Sequence, residues 1–193
     1  MRIRVVIMSL LLGAYAARSA DVAAPAEPGA DGPVVVELDA GEQSGHAEAT
    51  IRIHAPREIV WHLLTSCDEA VKIVPGLKVC QVEETAADRS WQRIRQVMDY
   101  SWYVPRLTYV MTANYHEPDS IAFDRTSGDL VHLHGSWTLS SDGDFTIAHY
   151  SLSFAPGIWV PRWLVRAALK RDLPKMLRAL RTHAEAAQND NLG

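Results

Sequence analysis

The sequence feature that most limits the possible folds is a long amphipathic stretch near the C-terminus. The pattern predicts one helix from about Arg162 to Ala187. Its apolar residues recur three and four positions apart, which places them on a single face: Val165, Leu169, Leu173, Met176, Leu177, Leu180 and Ala184. Such a stripe has to be buried against another element, so the rest of the chain must supply a surface that covers it.

The elements available to cover the stripe are mostly strands. Alternating apolar and polar residues predict a strand from Gly45, and helical spacing predicts two short helices between residues 56 and 74. Six further strand-like runs lie between Leu77 and Phe154, separated by turn signals such as Ser141-Asp142-Gly143-Asp144. Tight turns join neighbouring strands in antiparallel fashion. We therefore expect an α+β fold in which a sheet of about seven strands covers one long helix.

This order of elements, with Ile53-His54-Ala55-Pro56-Arg57-Glu58-Ile59-Val60-Trp61 near its start, resembles the START-like (SRPBCC) superfamily of polyketide cyclases, coenzyme Q-binding proteins and birch-pollen allergens. Four later segments fit the same pattern: Val74-Pro75-Gly76-Leu77 with Cys80 and Val82, Gly135-Ser136-Trp137-Thr138-Leu139, Tyr150-Ser151-Leu152, and residues 156–180. The resemblance covers about residues 44–187. It implies a helix-grip fold, a strongly bent antiparallel sheet wrapped around the last helix with a cavity between them, and it brings no fixed catalytic signature.

The N-terminal residues do not fit this domain. Met1-Arg2-Ile3-Arg4, the apolar run to Gly13 and the small residues that follow have the three parts of a bacterial signal peptide, which we assign to residues 1–20. A retained membrane anchor would need roughly 20 apolar residues. We expect a disordered linker over 21–43, the domain over 44–187 and a tail over 188–193. The mature protein is then periplasmic or secreted.

The chain has two cysteines, Cys67 and Cys80. In an exported protein, the oxidising environment allows them to form a disulfide. A disulfide would close a loop of about 14 residues and add roughly 3 kcal/mol to stability in the chain-entropy model. The alternative is a pair of buried thiols, because Cys80 lies in an apolar alternation. The sequence leaves both alternatives open.

The inward face of the predicted sheet is aromatic and apolar, as hydrophobic ligand sites are. Alternation alone supports only a solid core, but the implied fold favours a cavity that binds a hydrophobic small molecule, either a lipid or an isoprenoid or quinone-like compound. The protein would then be a lipid carrier. The candidate ligand-binding residues are Leu107, Tyr109, Met111, Tyr115, Trp137, Tyr150, Leu152, Leu169, Leu173 and Met176.

Two apolar loops and a basic helix suggest where the protein meets a surface. Four aromatic residues in the loops are candidates for rim or membrane contact: Trp102, Tyr103, Trp159 and Trp163. Residues 162–183 carry a net charge of +6, although the whole chain carries -4. Together these features suit transient contact with an anionic membrane. The alternatives are that the loops cover each other and that the charges form an ordinary solvated helix face.

Other functions have less support in the sequence. His132 and His134 share a strand face without a third ligand, so we expect no metal, and we expect no cofactor. Export and an acidic chain disfavour nucleic acid as a partner, and we expect a monomer. A cyclase or aromatase acting in the same cavity is the main alternative to a non-enzymatic binder, and a protein-interaction module is the second. The candidate residues of such an enzyme would be Tyr109, Tyr115, Tyr150, Arg93 and Arg95, with the alternative that the two arginines lie on a solvent-facing side of their strand.

Overall fold

One antiparallel sheet and three helices make up the structure, a computed structural model that describes residues 34–40, 44–100 and 105–192. The elements follow one another as β1 (Val34–Ala40), β2 (Gly45–Ile53), α1 (Arg57–Thr65), α2 (Cys67–Ile73), β3 (Leu77–Thr85), β4 (Trp91–Met98), β5 (Leu107–His116), β6 (Ser120–Gly128), β7 (Leu130–Asp142), β8 (Phe145–Pro156) and α3 (Arg162–Leu192). The strands lie in the order β1-β2-β8-β7-β6-β5-β4-β3. The predicted α+β helix-grip fold is confirmed, and its seven predicted strands are β2 to β8.

The eighth strand corrects part of the linker prediction. Residues 34–40 form β1 and pair antiparallel with β2, from Val34 opposite Thr50 to Ala40 opposite Gly45. The sequence offers a physical reason, because Val34-Val35-Val36 are β-branched residues that favour extended backbone, and β2 would otherwise be an unpaired edge. The rest of the predicted linker and the predicted signal peptide lie outside the described residues.

The last helix is longer than predicted. It runs to Leu192, so residues 188–192 of the predicted tail are helical. Gln188-Asn189-Asp190 contains neither glycine nor proline, so no residue there forces the helix to stop. None of the helices among the described residues is long and apolar enough to span a membrane.

The two halves of α3 pack differently. In the C-terminal half, Leu177, Leu180 and Ala184 have no exposed surface and contribute to the solid core. The inward residues of β2, including Ile51 and Ile53, are equally buried in the same core. In the N-terminal half, the stripe residue Leu169 is only half-buried. The core therefore fills one end of the sheet and leaves the other end open for a site.

A disulfide fastens the short helices to the sheet. Cys67 at the start of α2 is bonded to Cys80 in β3, with 5.1 Å between their Cα atoms. Ser66 caps α2, because its side-chain oxygen accepts a hydrogen bond from the Glu69 backbone N–H. Of the two states left open by the sequence, the structure has the bridged one.

Candidate functional site

A cavity of about 490 Å³ lies between the sheet, the α1–α2 segment and the N-terminal half of α3. Its lining is mostly apolar, which is typical of sites for hydrophobic small molecules. The structure brings all ten predicted ligand-binding residues to this one cavity: Leu107, Tyr109, Met111, Tyr115, Trp137, Tyr150, Leu152, Leu169, Leu173 and Met176. They come from β5, β7, β8 and α3, which are adjacent only in the folded chain.

Three neighbouring aromatic residues form part of the cavity wall. The ring centroids of Trp137 and Tyr150 are 4.4 Å apart, and those of Phe123 and Tyr150 are 6.4 Å apart. Gly135 makes room for this arrangement, because a Cβ atom at that position would lie 2.3 Å from Cζ of Phe123. A side chain at position 135 would therefore push the Phe123 ring out of its place in the wall.

Two of the cavity's tyrosines have their hydroxyls engaged by glutamines. Tyr109 Oη donates to Gln96 Oε1 at 2.7 Å, and Tyr115 Oη donates to Gln92 Oε1 at 2.9 Å. Burial raises the pKa of Tyr115 to about 12. Burial also raises the pKa of Tyr109 far above its usual range, and the neighbouring Tyr100 and Tyr150 hydroxyls add to this effect. Both hydroxyls therefore stay protonated at neutral pH.

The lining contains one pair of opposite charges among the described residues. Arg171 donates to both carboxylate oxygens of Asp172, at 2.7 and 2.8 Å, and both residues line the cavity. Tyr100 lies close to this pair. Burial raises the pKa of Tyr100 to about 12, and the charge of Asp172 adds to the increase while that of Arg171 opposes it. The cavity wall thus includes an arginine, a carboxylate and a tyrosine that interact electrostatically.

Part of the cavity wall was not predicted. The α1–α2 segment contributes five apolar or sulfur-bearing residues, namely Leu63, Leu64, Cys67, Ala70 and Ile73. Phe123, Gln96 and Asp172 also line the cavity. The alternation of Ile121 and Phe123 in β6 could have predicted that Phe123 lines the cavity. The sequence signal for Asp172 is weaker: it is the single acidic residue in a basic helix segment.

The two arginines considered for catalysis are not in the cavity lining. Arg93 forms an ion pair with Glu84 at 2.6 Å, and Arg95 is exposed. Both lie on the opposite face of β4 from Ile94 and Gln96, which do line the cavity. Of the two alternatives for these arginines, the structure has the one in which they lie on the face of the strand away from the cavity.

Exposed aromatic residues lie at the α3 end of the cavity. Trp159 is 73% exposed and Trp163 is 70% exposed, and Trp163 also contributes to the cavity lining. The adjoining residues Ile158 and Val131 are exposed as well. We call Val131, Ile158, Trp159 and Trp163 the rim patch. Trp102 and Tyr103, the other predicted rim residues, lie outside the described residues.

The histidine pair has no metal-binding geometry. His132 and His134 are both exposed, and His134 Nδ1 lies 2.7 Å from Asp124 Oδ1. Across the described part of the chain, no three His, Cys, Asp or Glu side chains group as metal ligands would.

The comparisons with known proteins agree with this geometry. A family model described as polyketide cyclase / dehydrase and lipid transport matches residues 53–181. The chain belongs to this family. The match begins at the end of β2 and ends within α3, so it includes every element that lines the cavity. No curated protein sequence is significantly similar to the chain.

Solved structures similar to this family member include enzymes and lipid-transfer domains. The Zhui aromatase/cyclase from Streptomyces sp. R1128 has a TM-score of 0.62 at 20% identity, and the match covers 74% of this chain and 94% of that one. A STAR-related lipid transfer protein from Xanthomonas axonopodis has a TM-score of 0.63 at 18% identity, with 80% and 99% covered. The human StarD13 lipid transfer and protein localization domain scores 0.60 at 12% identity, with 79% and 89% covered. These similarities show the shared fold.

Proposed function

We propose that this protein binds a hydrophobic small molecule, a lipid or an isoprenoid or quinone-like compound, in the cavity and carries it between membranes. The observation that supports this most strongly is the cavity itself, about 490 Å³ of mostly apolar space in a domain whose other end is solidly packed. Its family includes lipid transport in its description, which agrees with this proposal. Burying an apolar ligand there releases about 25 cal/mol for each Å² of apolar surface removed from water.

Native mass spectrometry of protein purified from its host tests this proposal. We expect a population that is heavier than the polypeptide by one small molecule, and organic extraction should recover a hydrophobic compound reproducibly. Protein that is uniformly free of bound molecules, and that also fails to take up any added hydrophobic compound, would contradict the proposal.

We also propose that the protein is exported, which the signal-like segment at residues 1–20 supports. The mature chain should be found in the periplasm or the medium. Sequencing of its N-terminus should place the cleavage after Ala16 or a few residues later, near Ser19 or Ala20. A chain recovered from the cytoplasm with residues 1–20 intact would contradict export.

Contact with an anionic membrane is part of the carrier proposal. The rim patch presents two tryptophans beside the cavity, and side chains of this kind favour the interface of a bilayer. The adjoining part of α3 carries the exposed cations Arg166 and Lys170. Each cation near an anionic surface contributes about 1 kcal/mol. A bilayer at this end would meet the cavity where Trp163 lines it.

Trp159→Ala should weaken binding to anionic vesicles about tenfold. Trp159 is 73% exposed and does not line the cavity, so its loss should spare the fold while removing apolar surface that would enter the bilayer. The measurement is co-sedimentation with phosphatidylglycerol and phosphatidylcholine vesicles at low salt. Trp91→Ala, on the far strand β4, is the matched control and should bind like the wild type. Equal binding by Trp159→Ala and the wild type, or no binding by either, would contradict the membrane contact.

A cyclase-type enzyme is the second candidate, and the Arg171–Asp172 pair beside Tyr100 is the observation that favours it. A carboxylate and a phenol could serve as base and acid in a cyclisation that expels water. The extraction experiment separates the two functions. In an enzyme, Asp172→Asn would retain a substrate heavier by one water than the molecule found in the wild type. In a carrier, both proteins would hold the same molecule.

A further inference from the structure

We propose that Tyr150 selects the ligand, and that its hydroxyl donates a hydrogen bond to a carbonyl-type oxygen on an uncharged ring lying against Trp137 and Phe123. This inference rests on the proposed binding function and names the ligand class more closely. Tyr150 would act by direct contact with the ligand.

The hydroxyl of Tyr150 is a polar group in an apolar wall. The residue is only 8% exposed, and it lines the cavity. Among the described residues, none forms a hydrogen bond with Tyr150 Oη. A buried hydroxyl without a partner has lost its hydrogen bonds to water and gained none in return. A ligand oxygen in the cavity would satisfy it.

Two other tyrosines that line the cavity obtain their hydrogen bonds from the protein. Tyr109 and Tyr115 each donate to a glutamine on the neighbouring strand β4. Opposite Tyr150, the strand partners are Ala49 on β2 and Trp137 on β7, neither of which has a side-chain acceptor. Tyr150 therefore depends on a ligand for the hydrogen bond that the other two obtain from the protein.

The charges around the cavity favour an uncharged ligand oxygen. The charged residues lining it, within the described ranges, are Arg171 and Asp172, which neutralise each other. Burial raises the pKa of Tyr150 far above its usual range, with a further contribution from Tyr100, so the hydroxyl keeps its proton and can donate. A carboxylate or phosphate group at this position would have no compensating charge beside it.

The rings beside Tyr150 favour a ring in the ligand. Trp137 lies 4.4 Å from Tyr150 and Phe123 lies 6.4 Å from it, between centroids, and all three are exposed toward the cavity rather than toward solvent. An oxygen within hydrogen-bonding distance of Tyr150 Oη would bring its adjoining carbon atoms against these faces. A planar ring gains more from such stacking than a flexible chain does.

Two probes with the same carbon skeleton test this proposal. Menadione is a methylnaphthoquinone with two carbonyl oxygens, whereas 2-methylnaphthalene has no oxygen. Their affinities are measured by displacement of the neutral fluorophore N-phenyl-1-naphthylamine from wild type, Tyr150→Phe and Tyr115→Phe. The Phe substitutions remove only a hydroxyl. Tyr115→Phe is the matched control, because its hydroxyl already has Gln92 as a partner.

We expect Tyr150→Phe to weaken menadione binding about five- to tenfold and to change 2-methylnaphthalene binding less than twofold. Tyr115 lines the same cavity, and Tyr115→Phe should change the affinities for the two probes by the same factor. If both probes bind to the wild type and Tyr150→Phe affects them equally, the selection by Tyr150 is refuted while the binding function stands. If neither the fluorophore nor either probe binds to folded wild type, the binding function itself fails.

Discussion

Replacing Met111 with tryptophan should reduce the binding of hydrophobic ligands at least about tenfold while the fold is kept. Met111 lies on β5, is half-buried and projects into the cavity, so a larger ring would occupy space that a ligand needs. The strain of overpacking is limited because the ring enters empty volume rather than filled core, and we expect it to cost less than the roughly 1–3 kcal/mol typical of a well-packed site. Displacement of N-phenyl-1-naphthylamine measures the loss of binding, and thermal unfolding checks the fold.

Thr112→Trp is the matched control for this result. Thr112 is the next residue on β5, and its hydroxyl lies within hydrogen-bonding distance of the Thr126 hydroxyl on the outer face of the sheet. The same ring added there should leave ligand binding unchanged. If Met111→Trp binds ligand as tightly as Thr112→Trp does, the ligand is not held where the structure places the cavity.

Removing the disulfide should have the largest effect on stability. The double variant Cys67→Ser, Cys80→Ser loses a bridge that closes a loop with a sequence separation of 13 residues. In the chain-entropy model this lowers the free energy of unfolding by about 3 kcal/mol. For a domain of this size the midpoint of thermal unfolding should fall by about 6–12 °C. Both cysteines also line the cavity, so ligand affinity should fall as well.

Reductant provides the control for the disulfide. In differential scanning calorimetry, reductant should lower the unfolding temperature of the wild type. It should leave the unfolding temperature of the double serine variant unchanged. If the wild type shows two free thiols by mass spectrometry under non-reducing conditions, the bridge is absent from the purified protein and this expectation is wrong.

The fold could be predicted from the sequence because its periodicities are strong. The apolar stripe of α3 and the alternation in β5, β7 and β8 identified one surface on the helix and one on the sheet. These two surfaces had to face each other. Every candidate ligand residue lies on one of these two surfaces, and all ten line the same cavity.

Other parts of the architecture depend on contacts between distant residues and could not be predicted in this way. Val34–Ala40 has a short β-branched start, and its strand exists because the edge of β2 is available 5 to 16 residues later. Asp172 lies beside the apolar stripe of α3, three residues after Leu169, so that its helical position favours burial while its charge favours solvent. For Arg93 and Arg95, alternation defines two faces of β4, and only the pairing of β4 with β5 decides which face lines the cavity.

The environment of the Tyr150 hydroxyl also depends on the three-dimensional structure. In the sequence, Tyr109, Tyr115 and Tyr150 are equivalent inward tyrosines. The glutamines that engage the first two lie 13 and 23 residues away on β4, and no comparable partner reaches the third among the described residues. The distinction between a structural and a ligand-facing tyrosine therefore depends on strand register rather than on residue type.

The most direct test of the binding site is photochemical labelling with trifluoromethyl-phenyl-diazirine, a small neutral aromatic that reacts with whatever it contacts. Peptide mass spectrometry should find adducts on the cavity segments of β5, β7, β8 and α3, which carry Met111, Trp137, Tyr150 and Leu173. Excess menadione and the Met111→Trp substitution should both suppress these adducts. Adducts confined to outer positions such as Thr112 or to the exposed Trp159, and unaffected by competitor, would contradict a ligand held between the sheet and the last helix.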